Sequence, residues 1–349
     1  MAEPTDKASP LGRRFAMGAA QVAILALLAW LAWWYVRGLD LELLRTRLEE
    51  IGAGYLVLMV AGLLARLPVW NARWLVGVRR AGLDARWWRS MGALAASMAV
   101  NSVTPTARVA GGLVRARFLA ADTQRGFGVA YGTVLVDQFV HHAGVGIFSF
   151  VAVSSTVGHR IPRWVVVLTA VAAVACVLAL WSSGRGSDGG SPGRLDRLVA
   201  AMRRRLEKQA TRQPRLGAAL SGGGDAIEIV SRLMRDPVVL GYGALYSAVF
   251  FALGGCVQWL ACRALGLPVG FLEALAVVGI GGIAGVAAGT PGGAGGAEAG
   301  MIATLTLLGV SSVDATVAAL LFRGLHYTVV LGVGLPFLAI LEWSVRREA

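Results

Sequence analysis

Two stretches of the chain combine a Thr-Pro pair, paired glycines and a later charged residue inside apolar sequence. The first reads "NSVTPTARVAGGLVRA" and the second "GTPGGAGGAEAGM". Asp137 comes 32 residues after Pro105, and Arg323 comes 32 residues after Pro291. Because interruptions at corresponding places in two halves indicate a binding site built from broken helices, we expect these segments to form a polar site within the membrane.

The second break has the residue types that an anion site needs. Proline ends the incoming helix, glycines allow tight turns and close approach, and the next helix presents free N–H groups and its positive dipole end. The substrate-binding candidates in this break are Pro291, Gly292, Gly293, Gly295 and Gly296. The alternative is a helix hairpin that packs through its glycines and holds no ligand.

Charged residues near the two breaks supply the remaining candidates. Arg108, Arg115 and Arg323 are candidates for phosphate contact, although Arg115 could instead extend to the cytoplasmic surface. Asp137, His141 and Glu298 are candidates for charge partners or for a second, cationic subsite. An antiparallel return of the chain brings Glu298 to the depth of Arg323, so we expect these two to pair.

The elements that carry these residues are predicted to be membrane helices. The chain is 56% hydrophobic and 15% charged, well below the charge content of ordinary soluble domains. Apolar runs long enough to cross a bilayer lie near 15–36, 51–70, 127–153, 164–182, 238–262 and 315–341. We therefore predict an all-α polytopic integral membrane protein with about six full transmembrane helices.

The distribution of the basic residues predicts the topology. Segments 1–14, 66–90, 105–125, 183–237 and 342–349 hold 26 of the 33 Lys and Arg. This is the positive-inside pattern of a multi-pass inner-membrane protein with both termini cytoplasmic, and it accounts for the net charge of +13 without nucleic-acid binding. A basic stretch within 183–237 is suited to contact an anionic inner leaflet.

The same topology places the two broken segments, 91–118 and 272–310, in opposite orientations. We predict two re-entrant or broken hairpins in an inverted repeat. The predicted organisation is a cytoplasmic tail at 1–14, a first membrane half at 15–182, a cytoplasmic basic linker at 183–237, a second membrane half at 238–341 and a cytoplasmic tail at 342–349.

Metal and cofactor chemistry is not indicated. The three cysteines lie in apolar runs without CxxC spacing, and the four histidines lack the spacing of a metal site. We predict no metal and no cofactor.

The motif "TPGGAGGAEAGMIATLTLLGV" followed by "AALLFRGLHY" resembles the lysylphosphatidylglycerol synthetase transmembrane family, the flippase-like domain of the multiple peptide resistance factor and of stand-alone members. "NSVTPTARVAGGLVRA" and "VLVDQFVHH" resemble its weaker N-terminal motifs, so the resemblance covers about residues 15–341. It implies a polytopic lipid flippase or lipid-handling domain with re-entrant helices, and it assigns no particular lipid. The chain departs from the family pattern at Leu113, Gln138 and His141, where acidic or basic residues are usual.

These patterns together predict a flippase-like transporter that binds a phospholipid or polyprenyl-linked lipid with an anionic headgroup and moves it between leaflets. We expect no enzymatic activity, because no segment up to residue 349 resembles the soluble transferase domain. Two alternatives stay open: an intramembrane lipid transferase using Asp137 and His141 as a base, or a non-catalytic partner of a membrane glycosyltransferase. A second copy of the chain is a further candidate partner.

Overall fold

The computed structural model describes residues 41–104, 109–156, 171, 204 and 214–348, and these residues are helical with short connections and no strand. Ten helices are numbered here in chain order. They are α1 (Leu41–Glu49), α2 (Ala53–Arg80), α3 (Trp87–Val103), α4 (Val109–Thr123), α5 (Phe127–Thr156), α6 (Pro214–Leu233), α7 (Pro237–Ala264), α8 (Phe271–Ala288), α9 (Gly296–Leu307) and α10 (Ser312–Glu348), with a short 3₁₀ turn at Pro291–Gly293.

Helix α1 belongs to a compact unit made of residues 1–49, and the other nine helices belong to a second unit of residues 50–349. Within α1, Glu42 lies in the first turn and Arg47 in the last, which is the arrangement that the helix dipole favours.

Five of the described helices are long and apolar enough to cross a membrane: α2, α5, α7, α8 and α10. Four of them coincide with predicted spans, and the all-α multi-pass prediction is confirmed. The predicted spans at 15–36 and 164–182 lie outside the described residues, apart from Val171. Helix α8, at 18 residues, adds a candidate that the sequence reading of 272–310 as too broken to span does not include.

The helices of the two halves correspond in order and in neighbours. In the first half α2 is followed by the α3–α4 hairpin and α5, and in the second half α7 is followed by the α8–α9 hairpin and α10. Helix α2 packs on its counterpart α7, while α3 packs on α10 and α8 packs on α5. Exchanging the halves therefore reproduces the arrangement of contacts, as an internal repeat requires.

Ion pairs near the helix ends show that corresponding helices run in opposite directions. Arg80, the last residue of α2, pairs with Asp236 at the start of α7 (2.5 Å). Arg117 near the end of α4 pairs with Glu342 near the end of α10 (2.5 Å), and α5 begins four residues after α4 ends. Thus α2 and α10 end where α7 and α5 begin, which agrees with the predicted inverted repeat.

The same end of the bundle has a well-filled core and a basic surface. Trp74, Leu75, Val78 and Phe118 are among the side chains buried together there. Arginines occupy the last turns of three helices: Arg79 and Arg80 in α2, Arg232 in α6, and Arg346 and Arg347 in α10. The predicted topology places these residues on the cytoplasmic side.

Part of the predicted basic linker is a helix that packs on the first half. Helix α6 lies against α5, and a Cβ on Gly128 would come within 2.0 Å of the Gly222 carbonyl oxygen. The Arg232 guanidinium also donates to the Arg80 carbonyl. Residues 214–233 are therefore part of the helical bundle, whereas residues 183–203 and 205–213 of the predicted linker lie outside the described residues.

Candidate functional site

The second break is a turn that only glycine-rich sequence can form. Helix α8 ends at Gly289 (φ 63°), and Gly292, Gly293 and Gly295 also have positive φ. The Thr290 hydroxyl donates to the Ala294 carbonyl and closes the turn. Because L side chains rarely adopt this backbone region, the glycines are needed for the chain to reverse into α9.

Glycines also let α8 and α9 approach closely. A Cβ on Gly281 would come within 2.4 Å of the Met301 side chain, and one on Gly293 within 2.9 Å of the Gly285 backbone. A Cβ on Gly296 would meet the Ala288 side chain at 2.5 Å. The α8–α9 hairpin is thus packed through its glycines, as the alternative without a ligand predicts. Its turn nevertheless borders a cavity.

Arg323 holds the second break to α10. Its Nε donates to Glu298 Oε1 (2.7 Å), and its Nη2 donates to the Gly292 carbonyl and to the Tyr327 hydroxyl (both 2.7 Å). The structure thus contains the pair expected between Arg323 and Glu298. Both side chains keep some exposure, 11% and 15%, and the second oxygen of Glu298 is buried without a hydrogen bond.

The first break is described on both sides but not at its centre. Asn101 near the end of α3 accepts a hydrogen bond from the Gly111 N–H in the first turn of α4 (2.9 Å). This side chain satisfies one of the free donors at the start of α4. Pro105 and the predicted phosphate ligand Arg108 lie outside the described residues.

The two breaks meet each other. A Cβ added to Gly292 would lie 3.3 Å from the Ser102 Cα atom, so the second break touches the last turn of α3. Thr104 after α3 and Thr290 after α8 line the same cavity. Polar backbone from both halves therefore faces one space, as irregular backbone at membrane depth must.

This cavity has a volume of about 230 Å³. Its ionisable lining residues are two arginines and three histidines, and no Asp or Glu of the described residues lines it. They are Arg66 of α2, His141 and His142 of α5, and Arg323 and His326 of α10. Three of the four histidines of the chain therefore surround one cationic cavity.

A buried ion cluster lies directly behind the cavity. Asp137 binds Arg73 through Oδ1 and Arg115 through Oδ2, both at 2.8 Å, and Oδ2 also accepts from the Trp70 indole (2.9 Å). The three charged side chains are only 2% exposed. The Arg115 guanidinium further lies 4.5 Å from the Trp74 ring centroid. Two cations therefore share one carboxylate in the interior.

His141 connects the cluster to the cavity. Its Nδ1 lies 2.9 Å from Arg73 Nη1, which also donates to Ser247 (3.3 Å). A guanidinium can only donate, so Nδ1 is the acceptor in this contact. The ring stacks on Trp70, with centroids 5.0 Å apart. His141 and Trp70 thus form the wall between the ion cluster and the cavity.

Comparison with protein families agrees with this architecture. The family described as lysylphosphatidylglycerol synthase TM region matches residues 19–334. The chain belongs to this family. The match relates the protein to membrane lipids and covers the transmembrane region. No curated protein shows a significant match to the chain.

The structure brings together only part of the site predicted for this family member. Gly292, Gly293, Arg323 and His141 line the cavity. Glu298 lies behind the lining, where it holds Arg323. The remaining predicted residues in the described part of the chain do not line the cavity; these are Arg115, Asp137, Pro291, Gly295 and Gly296. Arg115 does not extend to the surface, because its side chain is paired and 2% exposed.

Sequence reasoning did not name Arg66 and Arg73 as site residues because it counted both among the basic residues of the cytoplasmic segment 66–90. Helix α2 continues ten residues beyond the predicted end of the span at 70, so Arg73 lies within it as well as Arg66. Their spacing carried a signal, since Arg66, Trp70 and Arg73 recur at intervals of four and three and share one helix face. A charge pattern of this kind inside a long helix indicates an interior face.

The arrangement gives little support to base chemistry at Asp137. Both of its oxygens are held by cations, and the described residues contain no group of three or more metal-ligating side chains. His141 lines the cavity, and its Nδ1 is occupied by Arg73. The arginines that line the cavity, Arg66 and Arg323, are instead suited to bind and orient an anion.

Proposed function

We propose that this member of the lysylphosphatidylglycerol synthase TM region family is a lipid flippase whose substrate has an anionic headgroup. The headgroup binds in the cavity between the two helix breaks, and the protein moves the lipid between the leaflets of the inner membrane. Both termini are cytoplasmic in this proposal, because the basic ends of α2 and α6 are in contact through Arg80 and Arg232, and the basic ends of α2 and α10 border one buried cluster.

The observation that carries the proposal is the charge of the cavity lining. Arg66 comes from the first half and Arg323 from the second. The nearby carboxylates do not line the cavity: Asp137 pairs with Arg73 and Arg115, and Glu298 pairs with Arg323. Charged groups at membrane depth are costly and are retained for function. A site of about 230 Å³ with such a lining is suited to a phosphate-containing headgroup.

Exchange of partners at Arg323 supplies a link between binding and conformational change. In this state Arg323 joins α10 to α9 through Glu298 and to the break through the Gly292 carbonyl. An anionic headgroup competes with Glu298 for the guanidinium. A ligand shifts a conformational equilibrium only through its different affinity for the two states. In this proposal the headgroup binds more tightly to the state in which Arg323 has left Glu298, so binding favours that state.

The opposite directions of the two halves fit alternating access. In transporters built from inverted repeats, one half moves against the other around a site at the midplane. The cavity here is formed by α2 and α5 on one side and by α8 and α10 on the other. Relative movement of these elements would open the cavity to each leaflet in turn.

Two substitutions test the role of the pair. Arg323→Gln should lower the amount of phospholipid retained after purification by roughly 10- to 100-fold, because hydrogen bonds to a charged group are lost. Glu298→Gln should retain lipid or bind it more tightly, yet slow lipid movement in reconstituted vesicles. Native mass spectrometry measures retention, and Arg347→Gln, an exposed change on the same helix, is the control.

The outcomes separate the competing functions. An equal loss of folded protein in both variants, read from the size-exclusion profile, would show that the pair is structural. Purified wild-type protein that retains no lipid would contradict the flippase proposal and favour a partner subunit of a membrane glycosyltransferase.

A further inference from the structure

Glu298 depends on one cation for the compensation of its charge. Its Oε1 accepts a hydrogen bond from Arg323 Nε (2.7 Å), and within the described part of the chain this is its only ion pair. Its Oε2 is buried and accepts no hydrogen bond. The residue lies in the first turn of α9, where the helix dipole favours a negative charge, but this effect equals only about half an elementary charge. The carboxylate therefore relies on Arg323 to remain charged.

The helices packed against α9 provide no ion pair for Glu298 other than the one with Arg323. Helix α9 packs on α8 and α10. Helix α8 contains no basic residue, and its one acid, Glu273, caps the start of that helix. From α10, the Tyr327 hydroxyl accepts from the same guanidinium of Arg323. His326, also on α10, lines the cavity and is a second group that could bind a proton there.

Binding of a headgroup would leave this carboxylate in an unfavourable state. In the proposed function an anionic headgroup takes the Arg323 guanidinium from Glu298. The carboxylate and the headgroup would then be two negative charges beside one cation. Separating a buried ion pair leaves an uncompensated charge, which is strongly destabilising, and two neighbouring acids away from water do not both stay ionised. Uptake of a proton by Glu298 removes this cost.

We propose that Glu298 takes up a proton from water when an anionic headgroup binds Arg323, and releases it when the pair with Arg323 forms again. This inference rests on the proposed function and specifies the regulation of that site. The empty protein has a charged Glu298 paired with Arg323, and the loaded protein has a neutral Glu298 and an Arg323 paired with the headgroup. Lipid and proton therefore favour each other's binding. A headgroup with one negative charge and its proton cross the membrane together without net charge.

Calorimetry can count the proton. The full chain in a non-ionic detergent is titrated at neutral pH with ether-linked, short-chain phosphatidylglycerol, a phosphodiester that keeps its single charge there. Comparison of two phosphate-free buffers with different enthalpies of protonation gives the number of protons taken up with each lipid. We expect about one proton for the wild-type protein and about zero for Glu298→Gln, whose side chain has no charge to neutralise.

The pH dependence of binding has a definite sign. Because binding takes up a proton, the affinity of the wild-type protein for this lipid should fall as pH rises, by up to about tenfold per pH unit. The fall should be much smaller for Glu298→Gln. Glu342→Gln removes an acid on α10 whose partner Arg117 is exposed, so this matched control should behave as the wild type.

Infrared difference spectra identify the group that binds the proton. The ether-linked lipid has no carbonyl, so a carboxylic-acid band that appears on binding belongs to a protonated side chain of the protein. We expect this band in the wild type and in His326→Gln, and its loss in Glu298→Gln, since protonation of a histidine produces no such band. Size-exclusion profiles establish that each variant is folded, and the wild-type spectrum tests the inference by itself if Glu298→Gln does not fold.

Each result has a defined meaning. Lipid binding by the wild-type protein without proton uptake, or without the carboxylic-acid band, would overturn the proton inference and leave the flippase proposal intact. Uptake that persists in folded Glu298→Gln, or that is lost in His326→Gln instead, would assign the proton to another group and also overturn the inference. Absence of any lipid binding by the wild-type protein would overturn both proposals.

Discussion

Replacing Asp137 by asparagine should be among the most damaging single changes to the stability of the bundle. The carboxylate is shared by Arg73 and Arg115 at 2.8 Å each, and all three side chains are 2% exposed. Removing one partner of a buried ion pair costs about 3–5 kcal/mol, because an uncompensated charge remains. Here two guanidinium groups lose their only charged partner in the described cluster, so we expect the upper part of that range.

The assay is the midpoint of thermal unfolding in detergent, followed by the loss of the size-exclusion peak. Glu342→Gln is the control, since it breaks the pair with Arg117, whose side chain is 54% exposed. Pairs of this kind contribute about 0–1 kcal/mol. Asp137→Asn should therefore lower the midpoint several times more than Glu342→Gln.

A rescue variant separates the charge from the shape of the side chain. Combining Asp137→Asn with Arg73→Met and Arg115→Met removes all three charges, and replacement of a buried ion cluster by apolar side chains is often neutral or stabilising. We expect the triple variant to recover much of the midpoint lost by Asp137→Asn. If Asp137→Asn lowers the midpoint no more than Glu342→Gln does, the inference that Asp137 holds the interior together is wrong.

Three further changes have definite expected results. Gly292→Leu should lower both lipid retention and the yield of folded protein, because φ is 58° there and a Cβ would lie 2.8 Å from the Tyr327 hydroxyl and 2.9 Å from its ring; normal yield with lost retention would contradict this. In a cysteine-free background, Arg125→Cys and Ser312→Cys should react with an impermeant maleimide from the cytoplasm and from outside, respectively, and labelling from one side would refute the inverted repeat. Asp236→Ala should cost about 1 kcal/mol by uncapping α7, whereas Asp236→Asn should cost less at neutral pH.

The pH dependence of the Asp236 variants follows from its environment. Partial burial raises the pKa of Asp236, but the hydrogen bond from Arg80 and those from the Val238 and Val239 N–H groups outweigh burial, and the net pKa is lowered. A lowered folded-state pKa means that the charged group stabilises the protein above its unfolded pKa and that this contribution is lost as pH falls through the folded pKa. The stability difference between wild type and Asp236→Asn should therefore disappear at acidic pH.

Sequence patterns predicted the second helix break because its physics is local. A helix cannot continue through Thr-Pro followed by glycine pairs, and Gly289 to Gly295 do form the turn. The Arg323–Glu298 contact was also predictable, since a hairpin return brings residues of α9 beside the next helix. Helical periodicity and proline chemistry determine these features over short stretches of chain.

The wall of the cavity was not predictable in the same way. Arg66 and Arg73 were counted among the basic residues of a cytoplasmic segment, and only the tertiary partners Phe250, Asp137 and Ser247 explain why the helix extends to Arg80 with both arginines inside it. Asp137 was recognised as a membrane charge, but its two partners come from positions 64 and 22 residues earlier in the chain. Contacts over such separations depend on the assembled bundle and leave no local pattern.

The ion pairs at the two hairpins have their charges in opposite order along the chain, and this difference favours different roles for the two halves. In the first half the arginine is on α4 and the acid on the following helix α5, while in the second half the acid is on α9 and the arginine on α10. The first pair is 2% exposed and reinforced by Arg73, whereas the second keeps 11–15% exposure and borders the cavity. Only the second pair can exchange its acid for a ligand without first opening the core. The first half is therefore suited to remain rigid and supply positive potential, and the second half is suited to bind the headgroup and move.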